Sequence, residues 1–332
     1  MDLSIFFAGT GGSVPSSRRG LPATVIQRGG EKLLFDCGEG TQRQLMRSIG
    51  LPDLDVVFIT HFHADHWLGL PGMLKSFALR DRDKPLSVYG PPGLRDLMDT
   101  MMGVIGRRLP YGLSILELER WDEVERGGYR IASVPVSHGD RPAYGYVLLE
   151  EDRPGEFDPV AAQQLGVTPG EDFGILQRGG MVGEVRPEQV TGPPRKGRKI
   201  VISGDTSPAE ALVVAAHQAD LLIHEATFLS EESARAAETS HSTASQAAQA
   251  ARDAEVRLLA LTHISGRYHG GELRDEARAV FEATEAPRDF DTIEVPFPER
   301  GEPVLVRWSD RRTREQPAGA SDDAPSEVVA SR

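Results

Sequence analysis

Short apolar runs, each closed by a glycine-rich or polar loop, set the rhythm of this chain. Residues 3–7 read as a strand, followed by the loop Gly9-Thr10-Gly11-Gly12-Ser13. Residues 24–27 and 32–35 read as a hairpin turning at Gly29-Gly30. A second loop, Asp36-Cys37-Gly38-Glu39-Gly40, leads into a helical pattern over 41–49. Further strands are predicted at 56–60, 86–89, 128–137, 144–150, 199–203, 221–223 and 258–261, with an alanine-rich helix at 242–254. Residues capable of chemistry stand repeatedly at strand ends: His61 after the fourth run, His138, Asp205, Glu225 and His263 after later ones. The pattern predicts an α/β protein, a layered sheet with its site on the rim where loops converge.

Between about 151 and 198 the pattern lapses, with proline, glycine and charge spread through the segment. That predicts a flexible inserted arm with no core pattern, not a second domain. Residues 1–310 then form one domain around the arm, and 311–332, charged and rich in Ser, Ala and Pro, predict a disordered tail.

Composition narrows the class. The chain is long enough to bury a sizeable core, and 39% hydrophobic with 26% charged residues is ordinary for a soluble protein. No apolar run approaches the ~20 residues that span a bilayer, so no membrane association is expected. The opening Met1-Asp2-Leu3-Ser4 carries no basic leader, and the single Cys37 rules out an intrachain disulfide. Both fit a cytoplasmic location. A net charge of −13 argues against a simple nucleic-acid binder, unless metal ions and a local basic cluster meet the phosphates.

The densest chemistry is His61-Phe62-His63-Ala64-Asp65-His66. In extended chain His61 and His63 point to the same side, and a turn after them can bring Asp65 and His66 to a neighbouring position. Such a set can serve two adjacent cations, and its nitrogen and oxygen donors suit zinc, or manganese as a harder substitute. Four residues cannot close two metal sites, so His138, Asp205 and His263, each at a strand end, are the further candidates.

This series, HxHxDH, then a lone histidine, then SGDT, then a final histidine, is similar to the ligand series of the metallo-β-lactamase superfamily. The resemblance implies a four-layer αββα sandwich. It further implies one Zn2+ held by His61, His63 and His138, a second by Asp65, His66 and His263, and Asp205 bridging both. Within the superfamily, His224-Glu225-Ala226-Thr227, Ser240-His241-Ser242-Thr243-Ala244 and Thr262-His263-Ile264-Ser265-Gly266-Arg267-Tyr268 resemble the ribonuclease Z family, with Ile264 in place of the usual aromatic. Residues 165–179 are similar to that family's exosite, which grips the elbow of transfer RNA. The pattern is broken by Glu171, where proline is usual, and Gln177, where lysine is common.

The resemblance implies an endonuclease that removes the 3′ trailer from tRNA precursors and leaves a tRNA 3′-hydroxyl and a 5′-phosphate on the trailer. Asp65 would accept the proton of the attacking water. His241, held by Glu225, would act at the leaving group or the phosphate, and Arg267 would contact a phosphate. Arg178, Arg195, Lys196, Arg198 and Lys199 are candidate phosphate contacts in and after the arm. A homodimer is implied, one subunit's arm serving the other's site. His224 is open between support of a ligand and a buried structural role, and His217 and His269 carry no assignment. The rival readings are an aryl-sulfatase-like hydrolase or small phosphodiesterase on the same metals, and a catalytically silent RNA-binding scaffold. A glyoxalase-like thioester hydrolase fits the first motif alone.

Overall fold

The computed structural model describes residues 1–140 and 142–315. Two mixed sheets face each other. The eight-stranded sheet runs in the order Val304–Val306, Thr292–Glu294, Leu3–Gly9, Ala23–Arg28, Glu31–Phe35, Val56–Phe58, Leu86–Gly90, Leu113–Glu117. The seven-stranded sheet runs Thr284–Glu285, Leu259–Thr262, Leu221–Glu225, Lys199–Ile202, Tyr144–Glu150, Tyr129–Pro135, Glu123–Arg126.

Side-chain alternation along the strands assigns the layers. Ile5, Phe7, Leu33, Phe35, Val56 and Phe58 turn inward and meet Ile200, Ile202, Leu221, Ile223 and Ala260 of the other sheet. Their neighbours Phe6, Leu34 and Val57 turn outward under helices Gly69–Leu79 and Leu94–Ile105, through Leu70, Leu74, Phe77 and Met98. On the other side Val201, Leu222, Leu259 and Leu261 lie under helices Glu210–Ala216, Ala244–Asp253 and Gly270–Arg278. Because both faces are covered, these strands read as near-continuous apolar runs. The result is an αββα sandwich.

The alanine-rich stretch forms the helix Ala244–Asp253. Ala244, Ala247, Ala248 and Ala251 repeat at helical spacing and are all buried. Thr243 caps it: Gln246 N donates to Thr243 Oγ1 at 3.2 Å and Thr243 N to Gln246 Oε1 at 2.9 Å.

Two sets of parallel strands bring their C-terminal ends to one rim. Glu31–Phe35 and Val56–Phe58 run in register, Phe35 beside Phe58, and release Asp36 and Thr60-His61. Lys199–Ile202, Leu221–Glu225 and Leu259–Thr262 are likewise parallel, and release Asp205, the Glu225 end and His263. Phe58 anchors this arrangement between the sheets, its ring centroid 5.1 Å from those of Phe35, Tyr89 and Tyr146. Tyr146 Oη donates to Ile59 O at 2.7 Å, pinning the backbone just before the first histidine.

The segment after residue 150 corrects one expectation, because it carries a core of its own. Ala162, Val167, Leu176 and Val190 are buried together, with Phe157, Phe173, Val182 and Val185 against them. Two short helices, Pro159–Gln164 and Glu171–Gln177, supply Ala162, Phe173 and Leu176, and the segments around them supply the rest. Each helix is under two turns long and glycines separate them, so no helical period is visible in sequence. A stalk joins this unit to the body: Arg153 and Arg195 exchange backbone hydrogen bonds at 2.7 and 2.9 Å, and Gly155 lies against Gly192 so closely that a Cβ there would sit 1.9 Å from the Gly192 carbonyl oxygen. Glu171 and Asp172, which break the exosite pattern, occupy the first turn of a helix, where their charge complements the dipole.

The expected tail is corrected at its start, where helix Trp308–Glu315 extends past residue 310. Residues 316–332 of that expectation lie outside the described residues.

Candidate metal centre

The rim gathers the donors that the sequence scatters over some two hundred positions. Donor atoms of His61, His63, His138 and Asp205 all lie within 4.8 Å of one another, as do those of Asp65, His66 and His263, and those of Asp205, His241 and His263. Asp205 Oδ2 is central: it is 3.1 Å from His263 Nε2, 3.3 Å from His66 Nε2, and 3.8 Å from both His61 Nε2 and His138 Nε2. Asp65 Oδ2 completes the second group at 3.3 Å from His263 Nε2 and 3.6 Å from His66 Nε2. It also accepts the Ser13 amide at 2.8 Å, which ties the first glycine-rich loop to the site.

The far side of each buried ring fixes which nitrogen faces inward. His66 Nδ1 lies 2.7 Å from Asp36 Oδ2 and His138 Nδ1 lies 2.8 Å from the Ser240 carbonyl. A carboxylate and a carbonyl only accept, so both Nδ1 atoms carry a hydrogen, and in the neutral rings that a metal ligand requires both Nε2 atoms present lone pairs. Two threonines extend the logic. Thr60 Oγ1 donates to Asp36 (2.9 Å to Oδ2) and so accepts from His61 Nδ1 at 3.0 Å. Thr227 Oγ1 donates to Glu225 Oε2 at 2.7 Å and so accepts from His263 Nδ1 at 2.8 Å. Two buried carboxylates thus orient four rings, Asp36 those of His61 and His66, and Glu225 those of His263 and His241, while the Ser240 carbonyl holds a fifth, His138.

Two of the inward atoms, His61 Nε2 and His66 Nε2, are buried with no hydrogen-bond partner. Buried polar atoms left without partners are costly. A cation facing these lone pairs would satisfy both, and the imidazole and carboxylate donors suit a divalent transition metal.

Charge follows the same design. Burial, helped by the neighbouring His66, lowers the His61 pKa well below the usual value. Burial works to raise Asp205, but His263 and His66 outweigh it and hold the carboxyl well below the usual range. Asp65 is similar: burial raises it, while the His263 hydrogen bond and the His66 charge bring it down. Burial lowers His241, but the Glu225 hydrogen bond, Nδ1 to Oε1 at 2.8 Å, overrides it and leaves the ring raised.

Backbone conformation shows how tightly the rim is drawn. Asp36 and His263 both sit at positive φ, 57° and 54°. Non-glycine residues there cost on the order of 1 kcal/mol or more and are held by their surroundings. Gly204, at φ 61°, approaches Thr60 so closely that a Cβ would lie 3.0 Å from Thr60 Cβ.

The other sequence candidates are placed differently. Arg267 lies outside the cluster, its Nη1 paired with Glu232 at 2.9 and 3.0 Å, leaving Nη2 as the open edge of the fork. Arg178 is exposed on the arm at the end of helix Glu171–Gln177. Arg198 is corrected as a phosphate candidate: it is fully buried and gives Nε and Nη2 to Glu150 at 2.7 and 2.9 Å. Lys199 Nζ is engaged with the His217 carbonyl at 2.9 Å. His224 is buried, with Nδ1 2.7 Å from the Glu225 carbonyl. Asp36, Thr60, Thr227 and Ser240 were missed by sequence reasoning; Thr60 and Ser240 stand next to a motif histidine and Thr227 two residues after Glu225, while Asp36 is marked only by its place at a strand end.

A Beta-lactamase superfamily domain matches residues 31–155 and 189–264, a span that holds all seven candidate ligands and breaks over the arm. Fold and donor set together define the metallo-β-lactamase class of hydrolase. Ribonuclease Z of Methanosarcina acetivorans is 43% identical over 302 residues, which cover 89% of this chain and 99% of that protein. Ribonuclease Z of Myxococcus xanthus is 43% identical over 303 residues, covering 89% and 98%. Human short-form tRNase Z shares the fold with a TM-score of 0.66 and 29% identity, over 88% of this chain and 99% of that one. The chain belongs to the ribonuclease Z family.

Proposed function

We propose that this chain is the hydrolytic endonuclease that removes the 3′ trailer from tRNA precursors in the cytoplasm. It would hold two Zn2+ ions, with Mn2+ as a working substitute. The observation that carries the reading is the convergence of seven donors on one rim, with His61 Nε2 and His66 Nε2 buried and unpartnered, in a chain of this family. His61, His63 and His138 would hold one ion, Asp65, His66 and His263 the other, and Asp205 would serve both. Bound there, such ions lower the pKa of a water and neutralise the phosphate oxygens.

The chain's own groups supply the rest. Asp65, kept ionised by His263 and His66 and steadied by the Ser13 amide, is placed to take the proton of the attacking water. His241 has Nδ1 bound to Glu225, which leaves Nε2 to donate. The Glu225 hydrogen bond raises its pKa, which favours the protonated ring that a proton donor to a leaving 3′ oxygen requires. Water adds to phosphorus, the P–O3′ bond breaks, and the proton from His241 goes to that oxygen. The products are a tRNA 3′-hydroxyl and a 5′-phosphorylated trailer. Arg267 offers Nη2 to a phosphate while Glu232 steadies it.

The arm, with Arg178 exposed on it, would grip the tRNA away from the cut. A homodimer is supported by exposed Met46 and Leu68, which share a concave surface with Arg43 and Arg47 beside the His63–His66 turn. The deciding experiment is incubation of the metal-loaded protein with an end-labelled tRNA precursor, mapping the cut to the nucleotide. Turnover of bis-p-nitrophenyl phosphate without any precursor cleavage would favour the small-ester reading instead.

A further inference from the structure

The chain carries a net charge of −13, yet one cavity of about 490 Å3 gathers Arg18, Arg19, Arg274, Arg288 and Arg307 with His269. Arg274 is paired with Asp275, and Arg307 with Asp291 and Glu285. Among the described residues no carboxylate forms an ion pair with Arg18, Arg19 or Arg288. The one side-chain partner of the Arg18 guanidinium is His269, at 2.9 Å. Asp289, whose charge acts on Arg19, is taken up by four other donors: Thr10 N and Oγ1, Gly20 N and Gln44 Nε2. Burial lowers the Arg19 pKa against the pull of Asp289, and Arg288 and Arg18 lower it further, so these cations lie within range of one another.

The wall of the cavity adds donors. Helix Gly270–Arg278 begins there, and the amides of a helix's first turn lack intrahelical acceptors. A Cβ on Gly270 would fall 2.4 Å from Arg19 Nη2, so glycine lets the guanidinium lie against the helix start, while Gly271 meets open space. The cavity also adjoins the metal centre. Ser13 N is bonded to Asp65, and Ser16 lines the cavity three residues on; Gly266 lines it three residues after His263. Three residues of chain reach at most roughly 11 Å.

Unpaired guanidiniums converging beside a phosphodiesterase centre in an acidic protein fit one chemical class. We infer that this cavity is a phosphate subsite that takes a backbone phosphate of the RNA close to the scissile bond, with Arg18 and Arg288 as the groups free to bind it. The inference rests on the tRNA-precursor reading for its ligand.

The test is the double variant Arg18→Ala/Arg288→Ala in the full, metal-loaded chain; both residues are exposed, and an unchanged thermal midpoint verifies folding. KM for a tRNA precursor should rise about tenfold or more, with bis-p-nitrophenyl phosphate turnover unchanged. The slope of log affinity against log salt should shrink by about one to two. A penalty that disappears on precursors with a one-nucleotide trailer assigns the site to a trailer phosphate, and one that persists assigns it to the acceptor stem. A folded double variant with unchanged KM and salt slope overturns the proposal. A second measurement separates it from the functional reading: anisotropy of a 5′-phosphorylated oligoribonucleotide and of an acceptor-stem duplex with metal-free protein. Binding that depends on Arg18 and Arg288, in a protein that never cuts precursor, would sink the functional reading and leave the subsite standing.

Discussion

His66 Nδ1 donates to Asp36 Oδ2 at 2.7 Å, across 30 residues of sequence, joining the short helix Ala64–Trp67 to the loop that follows strand Glu31–Phe35. The same carboxylate holds Thr60, and through it His61, so one buried acid sets the tautomer of a ligand in each proposed metal group. Asp36→Ala should therefore weaken metal binding by about 10- to 100-fold, the usual cost of losing such an orienting group. Titration of the apo-protein with zinc against a competing chelator measures it. Thr60→Val should act in the same direction and by less, since His66 keeps its partner. Unchanged affinity in Asp36→Ala would show that packing alone orients the rings.

Asp205 touches both groups, so its loss should be felt twice. As purified, the protein should contain about two zinc ions per chain by elemental analysis, a count set by two sets of three donors and a shared carboxylate. Asp205→Ala should lose metal from both positions and His63→Ala from one, and each should abolish turnover. Chelation should remove activity, and zinc or manganese should restore it. Active protein free of transition metal would end the reading.

The His241–Glu225 pair gives a graded outcome. His241→Ala should lower kcat by roughly 10²–10⁴-fold at unchanged metal content. From sequence, Glu225 is expected only to orient His241. It also accepts from Thr227, which positions His263, and from the Thr206 amide beside Asp205. Glu225→Ala should therefore reduce metal content as well as kcat. If His241→Ala kept near wild-type kcat, the ring would be structural.

What could be read from the sequence was whatever sits in a regular frame. Apolar runs located the strands, and strand ends located His61, His138, Asp205 and His263, because a sheet rim turns sequence position into spatial proximity. The orienting residues stayed hidden, since a threonine or aspartate in a loop is most often a turn residue. Arg198 was misread for the opposite reason: Arg195-Lys196-Gly197-Arg198 looks like a solvated run, but strand pairing turns its last member into the interior. The arm's core leaves no period in the sequence, because its apolar residues come from two short helices and from the irregular segments around them.

Arg198 yields a pH-dependent prediction. Burial works to raise the Glu150 pKa, but hydrogen bonds from Arg198 and Arg28 outweigh it and leave the carboxyl below its ordinary value. A depressed folded-state pKa stabilises the fold fully above the ordinary glutamate value, and that contribution is lost as pH falls through the folded value. Acid denaturation of the wild type should thus include this site. Arg198→Ala leaves the buried carboxylate with Arg28 as its one remaining ion-pair partner, at 2.7 Å, and should cost at most about 3–5 kcal/mol at neutral pH, the range for breaking a buried pair outright. The deficit should narrow as Glu150 becomes protonated in acid. Urea melts at two pH values measure it, and a pH-independent deficit would exclude the ion pair as its source.

The arm separates binding from chemistry, and its structure says where to cut. Gly155 and Gly192 lie against each other at the stalk, so removing 156–191 and joining these ends with a short linker should leave the body closed. The arm's small core is its own, and the stalk below remains held by Arg153 stacked 3.5 Å over Phe297 and paired with Glu299. The shortened protein should keep its metal and its hydrolysis of small phosphodiesters. Cleavage of a tRNA precursor should fall sharply, chiefly through KM, because remote contacts no longer position the substrate. The salt dependence of RNA binding should flatten as phosphate contacts are lost. Glu171→Pro restores the residue usual in the related exosite, and should strengthen binding if the negative charge at that helix start opposes RNA. Precursor processing and salt dependence unchanged by the deletion would show that the arm takes no part in substrate binding, and would shift that task to the arginine-lined cavity beside the metal centre.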